Sequence, residues 1–128
     1  MTNRLLLQAA PMLLILAIAS PALAVDPARP CGPDSMTGPL RYLVPQGVGG
    51  ADFRPACRRH DACYDTLGAD KAACDRRYLQ EMQCACKNSR HPILCRIVAK
   101  IMYKTTRGRG GDRAFASAQR IAAKKLGR

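Results

Sequence analysis

The sequence predicts a mainly α-helical fold in which an antiparallel helix pair, linked by a disulfide, follows a Gly/Pro-rich loop. Capping residues and apolar residues at helical spacing recur between residues 52 and 126. All seven Cys lie between residues 31 and 95, and we find no alternating pattern that indicates a strand. Residues 25–52 are rich in Pro and Gly, which predicts an ordered loop. A loop of that length in a compact domain is usually functional.

The first 24 residues have the layout of a secretory signal peptide. Arg4 is basic, Leu5 to Ala19 is largely apolar, and Ala22-Leu23-Ala24 is a small-residue end. The apolar stretch is short for a membrane span, so a retained anchor is the less favoured alternative. Cleavage after Ala24 would leave a single small domain with a modest core. We therefore expect a secreted protein, or a periplasmic one in a bacterium.

Cysteine content and charge narrow the class of protein further. An exported chain meets an oxidising compartment, so the Cys residues are expected to form disulfides, and an odd number leaves at least one thiol over. The formal net charge is +12, of which residues 1–24 contribute only Arg4. A basic exported protein favours an anionic partner such as a phospholipid surface, an envelope polymer or nucleic acid, although the charge alone also fits simple solubility.

Two helices are predicted after the loop. The first has Asp52 as its N-cap and Gly68 as its stop. The second begins at Asp70 and runs to about Lys87, where the turn-forming residues that follow end it. The link between these helices is short, so the two helices must run antiparallel.

A third helix is predicted from Ile93 to Lys104, and a fourth from Asp112 to Leu126. The third has an apolar stripe that we expect in the core, formed by Ile93, Leu94, Ile97, Val98, Ile101 and Met102. Glycines at 108–111 predict a flexible joint before the fourth helix, so we divide the mature chain into a domain at 25–107 and a basic C-terminal segment at 108–128. That segment fits equally a helix on anionic lipid and a helix packed on the domain.

The spacing around Gly68 places His60 beside Asp75. His60 lies eight residues before Gly68 and Asp75 lies seven after it, which is about 12 and 10 Å along the two helices. Cys63 and Cys74 are level by the same count, which predicts a disulfide between them. Tyr64, four residues after His60, lies on the same helix face.

A carboxylate partner on one ring nitrogen leaves the other nitrogen of His60 basic, as a general base requires. Asp61 points about 100° away around the helix, toward the Gly-rich loop, where it suits a hard cation. The competing interpretation is that Asp75 forms only a surface ion pair with Arg76 or Arg77.

These residues resemble the secreted phospholipases A2 over about residues 30–80. The segment CRRHDACY at 57–64 matches the C-x-x-H-D-x-C-Y helix of that family, and Cys74-Asp75-Arg76 resembles its second signature. Upstream, CGPDS at 31–35, followed by Gly38-Pro39, is similar to the calcium loop of the insect-venom branch.

The resemblance implies calcium-dependent hydrolysis of the sn-2 ester of glycerophospholipids. His60 would activate water, and Tyr64 and Asp75 would orient His60. Asp61 and backbone carbonyls would bind Ca²⁺. Those carbonyls would come from Pro30, Gly32 and Asp34. The resemblance also implies the disulfides Cys31–Cys57 and Cys63–Cys74, while Cys84–Cys95 and Cys86–Cys95 remain alternatives.

Several alternatives accompany this hypothesis. The family prefers Gly where Asp34 stands, and the Gly-rich residues 47–50 are a rival calcium loop.

We expect a monomer that meets an anionic phospholipid surface and does not bind nucleic acid. The second class of function is a non-catalytic relative that binds or disrupts anionic membranes. A zinc or nucleic-acid module is disfavoured, because the Cys spacings lack paired C-x-x-C units.

Overall fold

The computed structural model describes residues 26–33, 36 and 38–128. The expected signal peptide at 1–24 and the expected calcium ligand Asp34 lie outside these residues. The prediction of a mainly α-helical fold is confirmed, with helices α1 (Arg54–Tyr64), α2 (Lys71–Ala85), α3 (Pro92–Thr106) and α4 (Arg109–Lys125). Two short 3₁₀ helices, Pro39–Leu43 and Cys86–Asn88, precede α1 and follow α2. None of the helices in this part of the chain is long and apolar enough to span a bilayer.

A short two-stranded sheet, for which the sequence shows no pattern, precedes α1. Strands β1 (Gly47–Val48) and β2 (Ala51–Asp52) pair antiparallel, with Gly47 opposite Asp52. Gly49 and Gly50 form the turn between them at φ values of 57° and 92°, a conformation that favours glycine. Strands of two residues are too short to show an alternating pattern, which is why the sequence did not indicate them.

Helices α1 and α2 run antiparallel, as the short link predicts. Their contacts pair later residues of α2 with earlier residues of α1: Cys63 with Cys74, His60 with Asp75, and Arg59 with Glu81. Asp70 caps α2 as expected, since its carboxylate accepts hydrogen bonds from the next two free backbone amides at 2.9 and 3.4 Å.

Helix α1 is shorter than the sequence predicts. It begins at Arg54, where the Asp52 carboxylate accepts the backbone N–H at 2.9 Å, and it ends at Tyr64 rather than near Gly68. The side-chain amide of Gln119 in α4 donates to the carbonyls of Tyr64 and Thr66 at 2.7 and 2.9 Å. Those carbonyls are satisfied from a distant helix, so α1 ends where a tertiary contact replaces its own hydrogen bonds.

The core is small and built around disulfides. Phe53 and Met82 are fully buried, and the bridged Cys31, Cys57, Cys86 and Cys95 surround them in one cluster. The predicted disulfides Cys31–Cys57 and Cys63–Cys74 are confirmed. Of the two alternatives for the third bridge, Cys86–Cys95 is the one that forms, and Cys84 is an exposed free thiol.

The predicted core face of α3 was largely wrong. Its buried residues are Cys95, Ala99 and Met102, whereas four members of the expected stripe are at least half exposed: Ile93, Leu94, Ile97 and Ile101. The Cys86–Cys95 disulfide fixes which side of α3 turns inward, and small side chains on that side allow a close approach to α2. The larger apolar side chains consequently form an exposed stripe.

The predicted flexible joint at 108–111 is also wrong. Gly108 is the N-cap of α4, and Gly110 and Gly111 lie in its first turn. A Cβ at Gly111 would collide with the Thr106 carbonyl, so the absent side chain lets α4 start directly against the end of α3. Helix α4 packs on the domain through Phe115 and the buried Ala122, while Ile121 stays half exposed.

Replacing Cys86 and Cys95 together with Ser should lower the free energy of unfolding by about 2–4 kcal/mol, because the unfolded chain gains freedom. The control Cys84→Ser should change it by less than about 0.5 kcal/mol, since that side chain is exposed. Urea unfolding and a thiol titration in denaturant without reductant measure both effects. The assigned pairing leaves one thiol in the wild type and none in Cys84→Ser. Any other count in either protein would contradict it.

Candidate active site

The sequence-predicted pair is brought together between α1 and α2. The His60 Nε2 atom lies 2.8 Å from Asp75 Oδ1, and the two residues are only 8% and 2% exposed. The Cys63–Cys74 disulfide bridges the same two helices one turn away, and so holds them at that register. The prediction that His60 and Asp75 stand level is confirmed.

Asp75 is a buried carboxylate with three donors. Tyr64 donates its hydroxyl to Oδ1 at 2.6 Å, and Lys71 donates its ammonium to Oδ2 at 2.9 Å. Burial alone would raise the pKa of Asp75, but the hydrogen bonds from His60, Lys71 and Tyr64 together lower it below its ordinary value. The interpretation of Asp75 as a surface ion pair with Arg76 or Arg77 is therefore wrong.

The protonation of His60 follows from that partner. An ionised carboxylate has no proton, so Nε2 carries the hydrogen and Nδ1 is left with a free lone pair. Burial lowers the pKa of His60, and Lys71 adds to the lowering, against the opposite effect of Asp75. The ring lies against Tyr64 and Tyr78, with centroids 4.2 and 4.5 Å away. A neutral, held imidazole with one free nitrogen can accept a proton.

Tyr64 and Tyr78 both contact the His60 ring, and each also contacts a different second group. Tyr64 contacts the ring and hydrogen-bonds Asp75, whereas Tyr78 stacks on the ring and its hydroxyl lies 3.4 Å from Cys57 Sγ. Burial, together with the hydrogen bond to Asp75, raises the pKa of Tyr64, and burial likewise raises the pKa of Tyr78. Both hydroxyls therefore stay protonated at neutral pH.

Sequence reasoning missed three contributors to this site. Lys71 had a usable signal, because it precedes Asp75 by four residues on one helix and so faces it. Tyr78 is buried and stacks on His60, a contact that the sequence analysis did not foresee. Phe115 packs T-shaped against Tyr64, with the ring centroids 5.1 Å apart; it comes from α4 and gave no local signal.

The loop before α1 is held by two side chains. Arg41 donates to the carbonyls of Arg29 and Pro33 at 3.0 and 3.2 Å. Gln46 pairs with both the N–H and the carbonyl of Cys31 at 3.1 Å. The carbonyls of Pro30 and Gly32 alternate with the bonded carbonyls along this loop. No described residue donates a hydrogen bond to either of them.

The loop and α1 carry oxygen atoms of the kind that could bind a hard cation. The Cys31–Cys57 disulfide ties it to α1, and Asp61 follows Cys57 by four residues on the same helix face. Two backbone carbonyls and one carboxylate are hard ligands of the kind Ca²⁺ prefers. No group of three or more His, Cys, Asp or Glu side chains that would hold a metal occurs in the described part of the chain.

The rival loop at 47–50 is the β-turn between β1 and β2. The Val48 carbonyl accepts the Ser89 hydroxyl at 2.8 Å, and the Gly49 carbonyl accepts the Arg90 N–H at 2.8 Å. Both carbonyls therefore bind the segment that enters α3. In the loop around Cys31, by contrast, the carbonyls of Pro30 and Gly32 accept no hydrogen bond from a described residue.

Comparisons of the chain with family models, with curated proteins and with solved structures found no match. The functional interpretation therefore depends on the motifs and on the geometry of the His60–Asp75 pair.

Asp75→Asn should destabilise the protein by about 2–4 kcal/mol at pH 7, because a buried charge partner is removed. The folded-state pKa of Asp75 is lowered, so its stabilising contribution is present above about pH 4 and is lost as the pH falls further. The difference from wild type should consequently shrink at pH 3, as measured by urea unfolding. The control Asp65→Asn, at an exposed position, should differ little at either pH. A deficit of equal size at both pH values would contradict this account of Asp75.

Proposed function

We propose that the protein is a calcium-dependent phospholipase A2 that hydrolyses the sn-2 ester of glycerophospholipids to a fatty acid and a lysophospholipid. The observation that carries the proposal is the buried hydrogen bond from His60 Nε2 to Asp75, formed by the residues of the CRRHDACY and Cys74-Asp75 motifs. That bond leaves Nδ1 of His60 as the proton acceptor.

The residues support one sequence of proton transfers. His60 Nδ1 takes a proton from water while the water oxygen attacks the sn-2 carbonyl carbon. Asp75 stabilises the imidazolium that results, and His60 then returns the proton to the departing glycerol oxygen as the ester C–O bond breaks. Tyr64 and Tyr78 keep the ring in one orientation throughout.

Asp61, with the carbonyls of Pro30 and Gly32 and that of Asp34, would hold the calcium ion. When bound, the ion would supply Lewis-acid stabilisation of the oxyanion on the sn-2 carbonyl. Arg41 and Gln46 hold the backbone of that loop through hydrogen bonds to the neighbouring carbonyls of Arg29, Cys31 and Pro33. These contacts hold the described part of the proposed ligand loop in one conformation, which supports the proposal.

A phospholipid surface, anionic in character, is the proposed partner of the monomer. The net charge of +12 favours anionic headgroups. Leu40, Tyr42 and Leu43 are 61–76% exposed on the 3₁₀ helix beside the loop, because Arg41 in the same helix turns inward. Large apolar side chains exposed beside the proposed calcium loop are suited to contact with lipid.

A second candidate function is favoured by the exposed apolar stripe on α3, formed by Ile93, Leu94, Ile97 and Ile101. A basic protein with such a stripe would bind or disrupt anionic membranes without any chemistry. This candidate requires membrane binding to be independent of His60.

The mature protein should release labelled sn-2 fatty acid from phospholipid vesicles with calcium and not with a chelator. His60→Gln should lower that rate by about 100-fold or more, because the base is lost. His91→Gln, at an exposed position, is the matched control and should retain the activity. Hydrolysis that survives chelation or His60→Gln would exclude the mechanism, and dye leakage without hydrolysis would favour the second candidate.

Asp61→Asn should weaken calcium binding by about 10-fold or more, since the one proposed carboxylate ligand loses its charge. Calorimetric titration of the purified protein with calcium measures this directly. Asp65→Asn, one turn further along and outside α1, should bind calcium like the wild type. Equal affinities for the wild type and Asp61→Asn would remove Asp61 from the ligand set.

A further inference from the structure

The ammonium of Lys71 joins three elements at the back of the His60–Asp75 pair. It donates to Asp75 Oδ2 at 2.9 Å and to the backbone carbonyl of Thr106 at 2.7 Å, and it lies 3.3 Å from an Asp112 carboxylate oxygen. The Lys71 side chain is only 20% exposed. A lysine held on three sides in this way has one defined position.

The contact with Asp75 completes the hydrogen bonding of that carboxylate. Oδ1 accepts from both His60 and Tyr64, and Oδ2 accepts from Lys71. The terminal torsion of an aspartate is intrinsically soft, so two donors on one oxygen do not by themselves fix the plane of the group. A donor on the second oxygen does fix it, and it thereby fixes the direction in which Oδ1 faces His60.

Lys71 is itself held by the junction of α3 and α4. Thr106 is the last residue of α3, where backbone carbonyls have no partner within the helix, and Asp112 lies in the first turn of α4. Gly111 permits this junction, because any side chain there would meet the Thr106 carbonyl. The two helices therefore present one carbonyl and one carboxylate to the same ammonium.

Helix α4 also contacts the other supporting donor. Phe115 packs T-shaped against Tyr64 with ring centroids 5.1 Å apart, and Gln119 donates to the Tyr64 carbonyl at 2.7 Å. Thus both residues that hold Asp75 besides His60 are contacted by the C-terminal helix. This helix lies outside the segment that resembles the phospholipases.

We infer that Lys71 is a positioning residue for His60 and Asp75, and that the α3–α4 junction holds it in place. The C-terminal helix is then part of the catalytic unit rather than an appended basic tail. This inference rests on the proposed role of His60 as the general base.

The test uses Lys71→Met, which removes every donor, and Lys71→Gln, which keeps an amide NH₂ donor group without the charge. Lys100→Met removes the same charge from an exposed position on α3 and is the matched control. With monomeric short-chain phosphatidylcholine and calcium, kcat should fall about 10–100-fold in Lys71→Met and less in Lys71→Gln, with KM changed less than about twofold. Lys100→Met should stay within about twofold of the wild type in both constants.

A second readout does not need activity. The Nε2 proton of His60 should give a slowly exchanging downfield resonance in wild type and in Lys100→Met, and a broadened one in Lys71→Met. Thermal unfolding identifies variants that fold, and if Lys71→Met does not fold, Lys71→Gln decides with the same two readouts. Wild-type kcat and an unchanged resonance in a folded Lys71 variant would overturn the inference. A wild-type protein without hydrolytic activity would refute the proposed function, while the resonance would still decide the role of Lys71.

Discussion

The Asp75 carboxylate is 2% exposed and receives hydrogen bonds from His60, Tyr64 and Lys71. A buried charge is strongly destabilising unless every part of it is paired, so each of these donors has to arrive in place. They come from α1 and α2, and α3 and α4 hold two of them from behind. All four helices thus contribute to satisfying one ionised group.

Disulfides stabilise this arrangement in a chain that has few large apolar side chains in its core. Cys63–Cys74 sets the register of α1 and α2. Cys31–Cys57 attaches to α1 the loop that is proposed to bind calcium. Cys86–Cys95 sets which side of α3 faces inward. Each bridge restrains the unfolded chain, and here each also places a functional or supporting element.

Local spacing was sufficient to predict the centre of the site. Counting residues from Gly68 placed His60 level with Asp75, and Asp70 caps α2 as expected, because helix geometry and capping depend on neighbours in sequence. The sequence did not indicate where α1 ends, since Gln119 of α4 satisfies its last carbonyls. It also misassigned the faces of α3, because apolar periodicity cannot distinguish a buried stripe from an exposed one.

In the proposed mechanism, His60 keeps its proton on Nε2, toward Asp75, and offers Nδ1 to water. Nitrogen-15 spectra of protein labelled in histidine report the tautomer of each ring directly. We expect at neutral pH a neutral His60 ring with a protonated Nε2 and an unprotonated Nδ1. A ring protonated on Nδ1, with Nε2 free, would contradict the account.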